Sequence, residues 1–185
     1  MTILKTLAFS ILLSAFTFTV FGQNFKSISE IEKQLDPLAV IANHDGIRRS
    51  IDLNIPFELN SAQIMATAKP QLKALSTALK GKLAQCNIAL VGHTDASGDA
   101  AHNQDLSDKR AKSVLTALLG EFDVNPHMLS AKGVGETQLI AGIAPNDKRH
   151  RRVEVSLVDP EACKKTLSSN KSMQKSASNE RKIDW

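Results

Sequence analysis

The chain has 185 residues, a formal net charge of +4, and 42% hydrophobic but only 4% aromatic residues. This length allows one compact domain with appendages, since a domain commonly takes about 100 to 150 residues. Residues 164–185 hold six basic and two acidic side chains, and this difference of +4 equals the net charge of the whole chain. The globular part is therefore close to neutral, and the basic tail is an appendage.

Residues 1–22 have the pattern of a secretory signal peptide. Lys5 precedes an apolar run from Leu7 to Phe21, and cleavage is expected before Gln23. The alternative is an uncleaved membrane anchor, because the run is near the lower limit of about 17 residues for spanning a bilayer. Either way the chain is predicted to be exported, and it contacts a membrane only if the signal is retained.

Export changes how two other groups of residues are interpreted. Cys86 and Cys163 become candidates for a disulfide and are poor candidates for a metal or catalytic site. The basic cluster of Arg149, Arg151 and Arg152 does not predict nucleic-acid binding, because exported chains rarely meet nucleic acid and few aromatic residues are present for base stacking. Solvated charge is the simpler interpretation, with attraction to anionic envelope polymers as a functional one.

Residues 23–50 are predicted to be an N-terminal extension that carries one short helix. Ser27 and Glu30 have capping-box spacing, and Ile31 and Leu35 follow at helical spacing before Pro37.

A strand and a helix open the domain. Apolar and polar residues alternate strictly from Ile51 to Leu59, which predicts a strand with one buried face. Pro56 cannot donate a ladder hydrogen bond, so this strand should lie at a sheet edge or near its own end. Pro70 suits the first turn of a helix, and Gly81 weakens the end of that helix. Its apolar stripe consists of Leu72, Leu75, Leu79 and Leu83.

A second strand, a second helix and two further strands follow. Ile88 to Val91 is a short apolar strand, and the helix after it has an apolar stripe. That stripe comprises Leu106, Ala111, Val114, Leu118 and Phe122. Alternation predicts a third strand from Leu129 to Gly133 and a last strand from Val153 to Leu157 with one exposed face.

This order of elements predicts an α/β (α+β) fold. Strands with one buried face need helices on a single side of the sheet, so we expect a two-layer β-α-β-α-β-β sandwich over residues 51–159. Periodicity is lost after Pro160, and Lys, Ser and Asn become frequent, so residues 160–185 are predicted to be a basic disordered tail.

The segment from Gly92 to Ala111 holds the candidate site. The second strand delivers Asp95 to a strand-to-helix edge, and Arg110 lies within the following helix. Alone, Asp95 is typical of a turn, and Arg110 is typical of a solvated helix or of a partner for Asp99 or Asp108. Together they provide one carboxylate and one guanidinium, which suits a zwitterionic ligand. The polar residues around them strengthen this interpretation; they are Thr94, Ser97, Asp99, Asn103 and Ser107.

Metal binding and catalysis have weaker support in the sequence. The histidines at 93, 102, 127 and 150 show neither HxxH nor HxxxH spacing, so no metal site or other cofactor is predicted. His93, Asp95 and Ser107 could be imagined as a triad, but there is no nucleophile elbow. We therefore expect no catalytic residues.

These motifs together resemble the OmpA-like peptidoglycan-binding domain family. The resemblance spans about Ile51 to Val158, and it rests on FELNS at 57–61, GHTDASG at 92–98, Asn103, LSDKRA at 106–111, GVGE at 133–136 and RRVE at 151–154. It implies a mixed four-stranded sheet of order 1-4-2-3 in which strand 4 is antiparallel. In that order the start of strand 2 and the end of strand 4 are neighbours, which implies a disulfide between Cys86 and Cys163.

The resemblance also implies a ligand, the diaminopimelate in the stem peptide of peptidoglycan. Asp95 matches the position that takes the ligand ammonium, and Arg110 matches the position that takes its carboxylate. His150 departs from the Asn that usually precedes the Arg-Arg pair. Four further residues match supporting positions: Thr94, Asn103, Asn60 and Arg151.

The expected function is non-covalent binding of peptidoglycan by a non-enzymatic module of the periplasm or outer-membrane-associated envelope. Two alternatives stay open. One is an envelope protein that recruits partner proteins through its N-terminal helix or basic tail. The other is an amidase-type enzyme.

Overall fold

The structure, a computed structural model, describes residues 25–38 and 49–169. The predicted signal peptide, the linker at 39–48 and residues 170–185 of the tail lie outside the described residues. The elements are α1 (Ile28–Gln34), β1 (Ser50–Leu53), α2 (Lys69–Lys80), β2 (Ile88–Gly92), α3 (Ala100–Gly120), β3 (Leu129–Gly133) and β4 (Val153–Leu157). Residues 160–169 form a further helix, α4. Short 3-10 turns span Ala66–Ala68, Pro126–Met128 and Lys148–His150.

The strands form one mixed sheet of order β1-β4-β2-β3. β4 pairs antiparallel with β1 and with β2, whereas β2 and β3 are parallel. In register, Val155 of β4 lies between Ile51 of β1 and Leu90 of β2. The α/β sandwich and the strand order that the family resemblance implied are therefore confirmed.

The first strand is shorter than the alternation predicts. β1 ends at Leu53, and although Ile55 is still buried, Leu59 is 97% exposed. After Pro56 the chain folds back on itself: Phe57 makes an isolated antiparallel bridge with Ile64. Pro56 lacks the N–H that a continuing ladder requires, and β1 is the edge strand next to this break, as the proline predicts.

The helices bury the predicted apolar stripes. All four leucines of the α2 stripe are buried, as are Ala111, Val114 and Leu118 of α3. The other two residues of the predicted α3 stripe are only partly buried: Leu106 lines the cavity described below, and Phe122 lies beyond the end of α3. Ser27 and Glu30 form the predicted capping box of α1, which buries Ile31. The chain before α1 is tied to α2 by the buried Gln71, whose side chain accepts from the Lys26 N–H at 2.6 Å and donates to the Lys26 carbonyl at 3.1 Å.

The prediction of an exposed face on β4 is wrong. Glu154 and Ser156, which alternate with the apolar residues, are only 5% and 6% exposed. Residues directly opposite each other in an antiparallel pair have their side chains on the same face. Asp52 and Val91 lie opposite Glu154, and Ser50 and Ala89 lie opposite Ser156, so side chains of β1 and β2 flank both residues. Glu154 also lies 3.2 Å from Nε2 of the buried His93, which gives its carboxylate a polar partner.

A disulfide joins Cys86, just before β2, to Cys163 in α4, as predicted. The prediction of a disordered tail is wrong for residues 160–169, which are helical. Cys163 is 3% exposed and Leu167 packs against the core, so a covalent tether and apolar contacts order a segment whose composition alone does not predict order.

Two glycines set the position of α3 over the sheet. A Cβ on Gly92 would lie 2.2 Å from the Ser107 carbonyl oxygen, and one on Gly133 would lie 2.2 Å from the Asp108 nitrogen. Only residues without a side chain allow the backbone of α3 to approach the ends of β2 and β3 this closely. This close packing holds the first half of α3 beside the polar loop that follows β2.

Candidate ligand-binding site

A cavity of about 460 Å³ lies where the loop after β2, the first half of α3 and the loop after β1 meet. It brings together all six residues predicted to bind a ligand: Asn60, Thr94, Asp95, Asn103, Arg110 and Arg151. These residues come from three separate parts of the chain. Their individual roles toward a ligand stay predictions.

Asp95 lies three residues beyond β2 and is 5% exposed. Its Oδ1 accepts a hydrogen bond from the Ser97 N–H at 3.0 Å, and its Oδ2 accepts one from Nη1 of Arg151 at 2.5 Å. Burial raises the pKa of this carboxyl group, but the hydrogen bonds from Arg151 and Ser97 outweigh burial, and the pKa lies below its ordinary value. Asp95 is therefore an anion at neutral pH.

Arg110 lies on the face of α3 that borders the cavity and is 9% exposed, so its interpretation as a solvated helix residue is wrong. Its Nε donates to the Ser61 carbonyl at 2.9 Å, and its guanidinium carbon is 5.1 Å from the centre of the Phe57 ring. Among the described residues, no hydrogen bond reaches its two terminal nitrogens. The side chain is thus held at its base while its bidentate end is available to a ligand.

The charge of Arg110 persists in this setting. Burial and the neighbouring Arg151 lower the pKa of the guanidinium, whereas Asp95 raises it. A guanidinium is so weak an acid that the group stays protonated at any physiological pH. The alternative that Arg110 pairs with an acid of its own helix is also wrong. Asp108 pairs with Lys112 at 2.6 Å, and Asp99 caps α3 by accepting from the His102 N–H at 2.8 Å.

Asn103 organises the loop after β2. Its Nδ2 group lies within hydrogen-bond distance of the carbonyl oxygens of Asp95 and Ser97, at 3.3 and 3.1 Å, and of a Glu136 carboxylate oxygen at 2.7 Å. Two of these contacts hold the backbone at Asp95 and two residues after it. Asn103 therefore positions the site even before any contact with a ligand.

Thr94 presents an unusual hydroxyl group. The residue is 3% exposed, its N–H donates to the Gly135 carbonyl at 2.9 Å, and its Oγ1 is buried without a hydrogen-bond partner in the described part of the chain. A buried hydroxyl without a partner costs free energy, so such groups are rare in folded proteins. A polar ligand atom in the cavity could satisfy it.

The two remaining predicted residues lie at the rim. Oδ1 of Asn60 is 2.8 Å from Nε2 of His102, which joins the loop after β1 to the first turn of α3. Asn60 has a φ of 49°, in the left-handed region that asparagine tolerates better than most residues. Arg151 has a half-exposed side chain that reaches across the cavity to Asp95.

His150 does not face a ligand. It is fully buried, its Nδ1 accepts from the Ile140 N–H at 3.1 Å, and its Nε2 is 2.9 Å from the Ala144 carbonyl oxygen. Because Nδ1 accepts, the ring proton belongs on Nε2, which donates to Ala144. An Asn side chain also offers one acceptor and one donor, so it could make the same kind of contacts with the loop. The departure from the family pattern at His150 therefore affects the loop before Arg151, and His150 does not line the cavity.

Sequence reasoning missed three contributors to the site. Ser61 accepts from Arg110 through its backbone, Phe57 lies under the Arg110 guanidinium instead of in the centre of the core, and Glu136 accepts from Asn103. Phe57, Ser61 and Glu136 all fall within the quoted motifs, but a backbone acceptor and a ring contact leave no signal in residue type.

The imagined catalytic triad is not assembled. His93 is 3.2 Å from Glu154, and the Ser107 hydroxyl donates to the Gln104 carbonyl at 2.9 Å and accepts from the Gly135 N–H at 2.8 Å. Within the described residues, no group of three His, Cys, Asp or Glu side chains is placed to hold a metal ion. Likewise, none of the helices in residues 25–38 and 49–169 is both long and apolar enough to cross a membrane.

Comparisons with known proteins agree with this architecture. Outer membrane porin F of Pseudomonas aeruginosa is 31% identical over 109 residues, which make up 58% of this chain but only 31% of that relative. A MotB-like protein from Desulfovibrio vulgaris has a TM-score of 0.51 at 26% identity, covering 58% of this chain and 71% of that one. The cell wall anchor of the T6SS from Pseudomonas aeruginosa shares the fold, with a TM-score of 0.50 at 24% identity over 60% of this chain and 80% of that one.

This chain spans less than half the length of the curated relatives that it matches. The OmpA family model matches residues 56–152, which include the loop after β1, all of α3 and the Arg-Arg pair before β4. The chain therefore belongs to the OmpA family.

Proposed function

We propose that this chain binds peptidoglycan non-covalently in the cell envelope and that its cavity holds the zwitterionic centre of diaminopimelate in the stem peptide. The observation that carries the proposal is the pair of opposite, buried and charged groups, Asp95 and Arg110, on one cavity wall. An acceptor-only carboxylate and a bidentate guanidinium select a group that has both an ammonium and a carboxylate. Membership of the OmpA family and the quoted motifs support the same ligand.

Two details of the cavity support a small polar ligand. The terminal nitrogens of Arg110 have no hydrogen-bond partner among the described residues, and the same holds for the buried Thr94 hydroxyl. A ligand carboxylate near Arg110 and a polar atom near Thr94 would give both groups partners. For the buried Thr94 hydroxyl, the proposal therefore supplies a partner to a group whose burial otherwise costs stability.

The ion pair between Arg151 and Asp95 implies an exchange of partners on binding. A ligand ammonium must take the place of Nη1 of Arg151, which lies 2.5 Å from Asp95 Oδ2. The Arg151 side chain is 50% exposed, so leaving Asp95 returns its charge to solvent at little cost. The released guanidinium can then bind the ligand carboxylate together with Arg110. A ligand with an amine alone would displace Arg151 without offering it a new partner.

The proposed action is binding without chemistry. His93 and Ser107 are already engaged by other protein groups, and recognition of a zwitterion requires no bond to break. A turnover assay on purified muropeptides tests this part: we expect no product, and release of cleaved peptide would replace the binding role with an amidase.

The test of the proposal is co-sedimentation with purified sacculi. The chain lacking residues 1–22 should sediment, and free diaminopimelate should compete. Asp95→Ala and Arg110→Ala should each abolish sedimentation while their thermal unfolding stays cooperative. Asp105→Ala is a matched control, because Asp105 is an exposed acid of α3 that pairs with Lys109 at 2.6 Å and does not line the cavity. Undiminished sedimentation of both site variants would disprove the assignment.

A further inference from the structure

A second and larger cavity, of about 660 Å³, adjoins the first. Phe57, Arg110 and Arg151 line both cavities, so the two are neighbours around the Arg110 guanidinium. A molecule whose zwitterionic centre lies between Asp95 and Arg110 can therefore extend into the second cavity. None of the six predicted ligand residues other than Arg110 and Arg151 lies there.

The second cavity has one apolar and one basic wall. The apolar wall consists of the end of β1 and the loop after it, with Leu53, Ile55, Pro56 and Phe57. The basic wall consists of residues 148, 149, 151 and 152, with Lys26 added from the segment before α1. Asp52 is the acidic residue of the lining, and its Oδ1 lies 3.1 Å from Nε of Arg152. Such a cavity suits an elongated molecule that carries a negative charge.

Two of the cationic side chains that line the second cavity are not held in a close ion pair and are available to a ligand. Lys148 makes no ion pair in the described part of the chain, and Lys26 has only a long contact of 3.9 Å with Glu30. In contrast, Arg149 is held by Asp147 at 2.8 Å, and Arg152 is held by Asp52. The two lysines belong to different segments of the chain, so the fold, and not local sequence, brings them to one cavity.

We infer that the second cavity binds a second carboxylate of the same peptide, on a residue joined to the zwitterionic residue in the first cavity. This inference rests on the proposed function and adds a preference to it: among peptides that fit the first cavity, acidic ones bind more tightly. Lys26 and Lys148 provide the positive charge for that carboxylate. The apolar wall packs against the aliphatic part of the connecting chain.

The experiment compares two dipeptides that differ by one charge, N-acetyl-γ-D-glutamyl-diaminopimelate and its α-carboxamide, by isothermal titration calorimetry. The acetyl group removes the glutamyl ammonium, so that the acidic dipeptide has a zwitterionic centre only on its diaminopimelate residue. Free diaminopimelate is titrated alongside as the probe of the first cavity. We expect the acidic dipeptide to bind about fivefold more tightly than the amide, the size of effect that partly exposed charge pairs produce. Rising salt should reduce this preference, because exposed charges are screened.

The variant Lys26→Gln/Lys148→Gln should lose the preference but keep the wild-type affinity for free diaminopimelate. Lys73→Gln/Lys132→Gln, which removes two exposed lysines that line neither cavity, should keep the preference. Equal binding of the two dipeptides by the wild-type chain would overturn the inference and leave the proposed function intact. If neither diaminopimelate nor the dipeptides bind, the proposed function fails and the inference fails with it.

Discussion

Replacing Asp95 with Asn tests the charge on which the proposed recognition depends. The two side chains have nearly the same shape, and the Asn oxygen can still accept from the Ser97 N–H that now bonds to Asp95 at 3.0 Å. The substitution therefore removes the negative charge and leaves the local backbone in place. A ligand ammonium would then lie in a buried site without its anionic partner.

The expected magnitude follows from the burial of the two partners. Removing one member of a desolvated charge pair costs about 2–5 kcal/mol of binding free energy. The pair that the ligand must first break, Asp95 with Arg151, involves an arginine that is 50% exposed, and such pairs contribute about 0–1 kcal/mol. The net loss is about 3 kcal/mol, which corresponds to roughly a hundredfold weaker binding of diaminopimelate.

Calorimetric titration with diaminopimelate measures this loss, and thermal unfolding measures stability in parallel. Asp95→Asn should change the free energy of unfolding by less than about 1 kcal/mol, because its ion-pair partner Arg151 is half-exposed. Asp105→Asn, which changes an exposed acid of α3 outside the cavity, should bind as wild type does. Binding by Asp95→Asn within threefold of the wild-type value, with both proteins folded, would refute the assignment of the ligand ammonium to Asp95.

Three further predictions concern pH, the disulfide and the packing of α3. The folded-state pKa of Asp95 lies below the ordinary value of about 3.9 for an aspartate, so its charge survives as pH falls through that value. Diaminopimelate affinity, measured in a series of calorimetric titrations at different pH, should therefore stay constant from pH 7 to about pH 5 and drop only below about pH 4. A drop in affinity at higher pH would contradict this prediction. The double variant Cys86→Ser/Cys163→Ser should lower the free energy of unfolding by up to about 4 kcal/mol, since the disulfide closes a loop with a sequence separation of 77. The same variant should leave ligand affinity unchanged, because the disulfide lies at the opposite end of β2 from the cavity. Gly133→Ala should destabilise the fold by about 1–3 kcal/mol or more in chemical denaturation, whereas Gly120→Ala, whose added Cβ meets nothing within 4 Å, should be neutral or slightly stabilising.

Capping motifs and apolar periodicity predict most of the helices and strands, because each of these patterns depends only on residues within a few positions of one another. The capping box at Ser27 and the apolar stripe of α2 follow from helix geometry, so both could be recognised without knowing the partner surface. Alternation predicts a first strand that is too long, because it continues to Leu59, whereas β1 ends at Leu53 and the chain folds back after Pro56. β4 was expected to have a wet face, because residue type does not reveal that a strand has neighbours on both sides.

The candidate site could be predicted in its residues but not in its contacts. Asp95 and Arg110 are predicted site residues because they flank a strand-to-helix edge, and both line the cavity. The sequence does not predict the ion pair between Arg151 and Asp95, since the two residues are 56 positions apart and each has several possible partners. The sequence likewise does not predict the role of His150. Its ring accepts one hydrogen bond and donates one, and both partners are backbone groups of a loop without periodicity.

The sequence by itself determined the order and type of the main elements, the family and the composition of one polar site, because periodicity, capping and short motifs act over a few residues. Only the tertiary structure decided which charges meet. Long-range packing pairs Arg151 with Asp95, leaves the end of the Arg110 side chain available, and places both Lys26 and Lys148 in the lining of a second cavity. Charge pairing depends on distance and burial, and neither can be read from residues that are far apart in the chain. For Arg110 and Asn103, the close approach of α3 to the sheet at Gly92 and Gly133 contributes to their placement.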